Sequence, residues 1–293
     1  MQLTVLGSGT CSSDLPGIPN RQPPGFWVTW DGGHLLFDVS EGIRFRLEQI
    51  GVKYPIVEHI AISHAHADHY VLPPFLLGVF CHPLWGGIKA ERLNLYAPDA
   101  IVESWPTLFK IHVPEAPAPN NHCTEEGFLW PQLRWQRLSG GKQAKIGNAT
   151  LTAADVFHGF GRCPALAFRL ETPDGVVVYS GDSGDCDGIR QITRDADLFI
   201  SEASGMVGHR DTAKRYGHLT PFDAGDIARE SGVKKLLLTH YPGLDSDEAM
   251  IEDCRKAGYK GDIQIAKDFQ VLELLSKKEK RKMKNDNVKI KSF

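Results

Sequence analysis

Residues 63–70 read SHAHADHY, which places His64, His66, Asp68 and His69 within six positions directly after an apolar run. Histidine is uncommon in this chain, at 12 of 293 residues. An H-x-H-x-D-H pattern arises by chance in roughly one chain in a thousand of this size. Imidazole nitrogens and carboxylate oxygens are the ligands that hold zinc and similar cations. The stretch therefore predicts a metal site rather than a polar loop of hydrogen-bonded histidines.

The composition of the whole chain is that of a soluble globular enzyme. The chain has 42% hydrophobic and 24% charged residues, which is ordinary for such proteins. No apolar run reaches the length of a membrane span, and the N-terminal MQLTVLGSGT lacks the pattern of a secretory signal. The six cysteines show no C-x-x-C spacing, which favours a reducing cytoplasm over a disulfide framework.

Charge is unevenly distributed, although the net charge is only −3. The segment 277–293 is rich in lysine and arginine, so we divide the chain into one domain, 1–276, and a basic C-terminal tail. Such a tail can bind phosphate backbones, but more often it is a solvated end.

Several short runs rich in Val, Ile and Leu end abruptly at a polar or ionisable residue. These runs cover residues 34–42, 59–69, 151–158, 176–183, 197–204 and 235–241, and they lead to Asp38, His64, His158, Asp182, Glu202 and His240. Runs of this type predict buried strands. Candidate helices lie between them at 40–52, 220–233 and 245–259, so the fold class is α/β. We expect the polar strand ends to converge along one edge of the sheets.

The segment 71–135 does not follow this pattern, because it contains many prolines and three tryptophans. It is not predicted to be a regular strand–helix unit. Long irregular segments often act as lids or recognition elements, so we interpret 71–135 as an inserted segment that shapes substrate access.

Three strand-end residues complete the metal site. His158, Asp182 and His240 each follow a predicted strand. Together with the cluster they make seven candidate ligands, too many for one tetrahedral ion. Such a set suits two divalent ions that share a bridging carboxylate. The ligand types favour zinc, with manganese or iron as alternatives.

The order HAHADH, VFH, SGDS and LTH resembles the metallo-β-lactamase-fold hydrolases, as do VLGSGT (5–10) and LLFDVSEG (35–42). The resemblance covers most of residues 1–270 and is weakest in 71–135. It implies an αββα four-layer sandwich with the metals at one edge of the two sheets. It also implies that His64, His66 and His158 hold the first ion, that Asp68, His69 and His240 hold the second, and that Asp182 bridges them.

The stretch YGHLT (216–220) resembles the GH-x-T element of the ribonuclease Z-like phosphodiesterase branch. The resemblance implies that His218 contacts the scissile phosphate and protonates the leaving oxygen, with Glu202 orienting it. The alternative is a helix-entry histidine bonded to backbone. Homodimers are common in this branch, so a homodimer is a further expectation.

The interval between His158 and Asp182 departs from the transfer-RNA-processing enzymes, which carry a long RNA-gripping arm there. Here it has room for two strands around a turn at 173–175 and little more. The short interval resembles the small phosphodiesterases that act on cyclic phosphates.

These observations predict a dinuclear hydrolase that cleaves a phosphodiester in a cyclic phosphate, a nucleotide or an RNA 3′ end. Asp68 is the expected proton acceptor and His218 the expected donor, while Asp38 is expected to fix the tautomer of a ligand histidine. Arg21 and Arg162 are either phosphate contacts or surface arginines. One rival is a hydrolase of the same fold that cleaves a lactone, ester, thioester or lactam. A redox di-iron protein is disfavoured, and a non-catalytic nucleic-acid-binding member is a further rival.

Overall fold

A computed structural model describes residues 1–11, 16–18, 20–112 and 132–274. These residues form two seven-stranded sheets. In spatial order the first sheet contains β14 (Val271–Glu273), β1 (Gln2–Gly7), β2 (Gly25–Trp30), β3 (Gly33–Phe37), β4 (His59–Ala61), β5 (Arg92–Ala97) and β6 (Gln132–Arg137). The second contains β13 (Asp262–Ile265), β12 (Lys235–Thr239), β11 (Leu198–Glu202), β10 (Gly175–Tyr179), β9 (Ala165–Thr172), β8 (Ala149–Val156) and β7 (Gln143–Ile146). Each sheet combines parallel and antiparallel pairs.

Seven helices cover the outer faces of the sheets in the described part of the chain. Three belong to the first half: α1 (Ile43–Gln49), α2 (Leu72–Leu84) and α3 (Asp99–His112). Four belong to the second half: α4 (Asp187–Ile192), α5 (Arg210–Tyr216), α6 (Pro221–Glu230) and α7 (Asp247–Lys256). None of these helices is long and apolar enough to span a membrane.

Three buried clusters separate the layers. The central one joins the two sheets, for example through Phe37 and Phe168, whose rings stack with centroids 6.0 Å apart. The other two lie between the first sheet and α1–α3 and between the second sheet and its helices. The central strands are therefore buried on both faces, as their apolar sequences require, whereas β6, β7 and β14 at the sheet edges are partly exposed. The αββα sandwich is confirmed.

The six apolar runs all form strands, namely β3, β4, β8, β10, β11 and β12. The predicted helices are present as α1, α6 and α7. Helix α1 begins without a side-chain cap, because its N-cap is Gly42, with φ 72°. Ser40 is engaged elsewhere, since its Oγ accepts a hydrogen bond from Arg46 Nη2 at 2.6 Å.

The prediction that 71–135 lacks regular structure is wrong for its described part. Residues 72–112 form α2, β5 and α3, and β5 pairs in parallel with both β4 and β6. Trp105 of α3 is only 1% exposed within the core beneath the first helical layer. This stretch therefore belongs to the framework of the first sheet. Residues 113–131 and 277–293 lie outside the described residues, so the lid role and the tail stay predictions.

The short interval before Asp182 is as expected. Between His158 and Asp182 the chain forms one 3-10 turn (Gly159–Gly161) and the antiparallel pair β9–β10. Every residue of this interval is described, and it contains no arm.

Candidate metal centre

The seven candidate ligands meet at one edge of the sandwich. The first four lie in the loop that follows β4 of the first sheet, and the other three follow β8, β10 and β12 of the second sheet. The structure divides them into two groups whose ligand atoms lie within 4.8 Å of one another. The groups are His64, His66, His158 and Asp182, and Asp68, His69 and His240. This division matches the one that the family resemblance implies.

Asp182 lies between the two groups with one oxygen toward each. Its Oδ2 is 3.8 Å from His64 Nε2 and 3.7 Å from His158 Nε2. Its Oδ1 is 3.1 Å from His69 Nε2 and 3.4 Å from His240 Nε2. This placement suits a carboxylate that bridges two ions.

Three buried atoms at this point lack hydrogen-bond partners: His64 Nε2, His69 Nε2 and Asp182 Oδ1. The last two are only 3.1 Å apart, yet they are not aligned as a hydrogen bond. Buried polar atoms almost always have partners, and nitrogen and oxygen donors that converge on one space are what a divalent cation requires. The residues therefore fit divalent metal ions.

Four of the histidines are fixed through their outer ring nitrogen. The Nδ1 contacts are His64 to Ser63 Oγ at 3.0 Å, His69 to Asp38 Oδ2 at 2.7 Å, His158 to Gly217 O at 3.1 Å, and His240 to Ser204 Oγ at 2.7 Å. With the proton on Nδ1, each Nε2 offers its lone pair to the centre. His66 differs, because its Nδ1 lies 3.1 Å from His158 Nε2. It therefore presents Nδ1 instead.

Asp38 accepts several hydrogen bonds from residues beside the candidate ligands. It is fully buried and, besides His69, it accepts hydrogen bonds from the Tyr179 hydroxyl at 2.6 Å and from Ser63 N at 2.7 Å. The hydrogen bond expected from Asp38 to a ligand histidine is therefore present.

The buried carboxylates of the centre favour positive charge at His69, whereas burial lowers the pKa values of His64 and His158. Burial opposes protonation of His69, but Asp182 and Asp38 outweigh it and raise the pKa of His69 well above its usual range. Burial likewise opposes ionisation of Asp182, but His240 and His69 outweigh it and hold the pKa of Asp182 well below its usual range. A bound cation would replace this positive charge.

His218 and Glu202 form the predicted pair. His218 Nδ1 lies 2.8 Å from Glu202 Oε1. Glu202 is fully buried and also accepts hydrogen bonds from Ser183 N at 2.9 Å and Ser204 N at 3.0 Å. Burial opposes protonation of His218, but Glu202 outweighs it and raises the pKa of His218 to about 9. The contact to Glu202 thus fixes the orientation of the ring and favours its protonated form.

The residues of GHLT have separate local tasks. Gly217 ends α5 with φ 81°, and a Cβ there would lie 2.7 Å from His158 Cα, so only glycine permits this approach. Leu219 is buried in the core, and Thr220 caps α6 in a capping box with Asp223.

Four residues of the site were not predicted: Ser63, Tyr179, Ser204 and Gly217. Ser63 immediately precedes the cluster, and Ser204 lies two residues after Glu202. Their closeness in sequence to predicted site residues is the only feature that could have indicated them.

Asp68, the expected proton acceptor, lies 3.2 Å from His240 Nε2. Arg21 is held by Ser8 Oγ at 3.0 Å and Ala266 O at 2.7 Å, which makes it a structural residue. Arg162 instead lines a cavity of about 550 Å³ beside the centre, together with His66, His158, Phe160, Tyr216 and His218.

Residues 34–241 match the model of the β-lactamase superfamily domain. The chain belongs to the β-lactamase superfamily. Among relatives, this superfamily member is similar to ribonuclease Z of Methanosarcina acetivorans, with 26% identity over 94% of this chain and 98% of the relative.

Solved structures share the fold of this superfamily protein. The metallo-β-lactamase fold protein YhfI from Bacillus subtilis has a TM-score of 0.73, 21% identity, and coverage of 92% of this chain and 98% of that one. The short form of human tRNase Z has a TM-score of 0.70, 21% identity, and coverage of 94% of this chain and 99% of that one. A diphosphatase from the PhnP family has a TM-score of 0.64, 21% identity, and coverage of 94% of this chain and 98% of that one.

Proposed function

We propose that this β-lactamase superfamily protein is a metal-dependent phosphodiesterase that acts on an RNA 3′ end, a nucleotide or a cyclic phosphate. The observation that carries the proposal is the His218–Glu202 pair, with its 2.8 Å contact, beside the seven-residue metal set. The similarity to ribonuclease Z and to a diphosphatase of the PhnP family supports the same chemistry.

We propose zinc for both sites, because imidazole and carboxylate ligands suit it, with manganese or iron as alternatives. Two divalent ions at such a site lower the pKa of a shared water and stabilise charge on phosphoryl oxygens.

The protein side chains have complementary roles in this proposal. Asp68 lies at the edge of the second ligand group, close to His240, where it can accept a proton from the attacking water. His218, protonated and oriented by Glu202, donates a proton to the leaving oxygen. Glu202 is a positioning residue, because it acts through His218.

The test compares two diesters that differ in leaving group, using metal-loaded wild type, His218→Ala and the control His112→Ala. His112 is an exposed histidine at the end of α3. A general acid contributes about 10²- to 10⁴-fold, and it matters most for a poor leaving group. In an RNA dinucleotide the leaving group is a ribose alkoxide, whereas in bis(p-nitrophenyl) phosphate it is p-nitrophenolate. We therefore expect His218→Ala to slow cleavage of the dinucleotide much more than cleavage of bis(p-nitrophenyl) phosphate. The metal content of His218→Ala should equal that of the wild type, and His112→Ala should cleave both diesters at the wild-type rate.

Equal losses on both diesters would contradict the acid role of His218. No cleavage of either diester, alongside turnover of a p-nitrophenyl ester, a lactone or a lactam, would instead establish a different hydrolase of this fold. Metal binding without turnover of any substrate would favour the non-catalytic rival.

We also propose a cytoplasmic homodimer. The five cysteines in the described part of the chain are free thiols, which agrees with a reducing compartment. Light scattering at several protein concentrations tests the dimer.

A further inference from the structure

An aromatic pair borders the cavity beside the metal centre. The rings of Phe160 and Tyr216 are tilted against each other, with centroids 4.7 Å apart. Phe160 is 51% exposed and Tyr216 is 45% exposed, so neither ring is part of the protein core. Both line the same cavity as His66, His158 and His218.

The backbone of Phe160 has an unfavourable conformation. Phe160 has φ 57° and lies between Gly159 at φ 56° and Gly161 at φ 72°. A left-handed conformation is energetically unfavourable at a bulky residue. Glycine or asparagine would adopt it at lower cost. Since the half-exposed ring gains little from burial, the strain points to a role outside folding.

The position of the pair assigns it to one side of the reaction. Phe160 follows His158 by two residues, and the ring of His158 packs against that of His218 with centroids 4.9 Å apart. His218 is the proposed proton donor to the leaving oxygen. The aromatic pair therefore lies on the leaving-group side of the phosphate.

A cation accompanies the rings. Arg162 lines the same cavity, and its guanidinium forms no hydrogen bond or ion pair with any residue in the described ranges. Exposed aromatic rings with a nearby arginine are the usual means of holding a nucleobase without reading its sequence.

We propose that Phe160 and Tyr216 form a stacking site for a nucleobase of the leaving group, with Arg162 beside it. The proposal rests on the proposed phosphodiesterase function and narrows its substrate to nucleotides or RNA. It makes Phe160 a determinant of specificity rather than of the chemical step.

The experiment compares adenosine 5′-monophosphate with ribose 5-phosphate, which lacks the base, as competitive inhibitors of bis(p-nitrophenyl) phosphate hydrolysis. Calorimetric titration of the metal-loaded protein with each compound gives a second readout that needs no turnover. Stacking on one ring predicts that the nucleotide binds about tenfold more tightly. Phe160→Leu should reduce this preference several-fold without changing binding of ribose 5-phosphate, and Phe160→Tyr should preserve it.

Phe269→Leu is the matched control. Phe269 is also left-handed, at φ 65°, and 41% exposed, but it does not line this cavity. Its substitution should leave the preference intact. Equal binding of the two compounds by an active wild-type enzyme would overturn the stacking site alone. Base-dependent binding in a protein that cleaves no diester would overturn the phosphodiesterase function and leave the stacking site standing.

Discussion

At the scale of single residues, Asp38 holds the candidate metal centre in place through hydrogen bonds. It accepts the hydrogen bond from His69 and three further hydrogen bonds, from the Tyr179 hydroxyl and from the backbone and hydroxyl of Ser63. We predict that Asp38→Asn weakens metal binding by about 10- to 100-fold, because the hydrogen bond that orients His69 loses its charge. Competition with a chromophoric chelator measures the affinity.

The exposed Asp31 provides the control. Asp31→Asn changes the net charge by the same amount as Asp38→Asn, but Asp31 lies on the surface and is distant in sequence from the candidate ligands. Equal losses in the two variants would mean that overall charge, not the contact to His69, sets the affinity.

His59 gives stability a pH dependence that is separate from the metal. Burial, reinforced by His34, lowers the pKa of His59 to about 4, and its Nδ1 lies 2.9 Å from the Tyr96 hydroxyl. The unfolded chain therefore binds the proton more readily than the folded protein. This contribution to stability is complete above pH 6.5, the usual pKa of a histidine side chain, and is lost as the pH falls toward about 4.

We expect urea unfolding to show a smaller loss of stability between pH 7.5 and pH 5 for His59→Gln than for wild type. Identical pH profiles would show that His59 does not titrate differently on folding.

The candidate ligands could be identified from the sequence, because the H-x-H-x-D-H spacing is rare and each remaining candidate follows a strand. The contacts of Ser204 and of Gly217, although Gly217 belongs to the GH-x-T stretch, could not be predicted, because they reach through space to His240 and His158. No local pattern records such contacts.

At the scale of elements, the N-terminus of α6 connects stability to the site. Thr220 caps this helix, and Ser246 caps α7 in a similar way. We predict that Thr220→Ala and Ser246→Ala each lower the free energy of unfolding by about 1 kcal/mol. Only Thr220→Ala should also slow diester cleavage, because His218 lies two residues before the cap.

Urea titration and steady-state kinetics on the same preparations separate the two effects. Undiminished activity in Thr220→Ala would show that the helix start does not position His218.

The unit α2–β5–α3 shows why the prediction that 71–135 lacks regular structure is wrong. Pro83 lies inside α2 and Pro106 inside α3, and prolines normally indicate that a helix ends. Burial of Phe75 and Trp105 against the first sheet stabilises both helices despite the prolines. Tertiary packing of this kind is not visible in a local pattern.

At the scale of the whole molecule, the metal centre joins the two sheets, since each supplies part of the ligand set. We predict that chelation lowers the thermal unfolding midpoint by several degrees and that added zinc restores it, because ions that bind only the folded state stabilise it. Differential scanning calorimetry measures the shift.

His66→Ala is the comparison variant, because His66 is exposed, its removal leaves no buried cavity, and it belongs only to the first ligand group. Its midpoint should fall less on chelation than that of the wild type, because the second ligand group is intact. A fall as large as that of the wild type would show that the ion held with His66 does not contribute to the stabilisation.

The last described strand has a consequence for synthesis. β14 pairs with β1, so the first sheet gains its final strand only after every ligand has been translated. While the ribosome still holds the C-terminal part, β1 is an open edge that can pair with another nascent chain. Residues 64–69 have then already emerged, long before His240. The newly made chain therefore carries an incomplete candidate metal site and one unprotected edge until His240 and β14 have been translated.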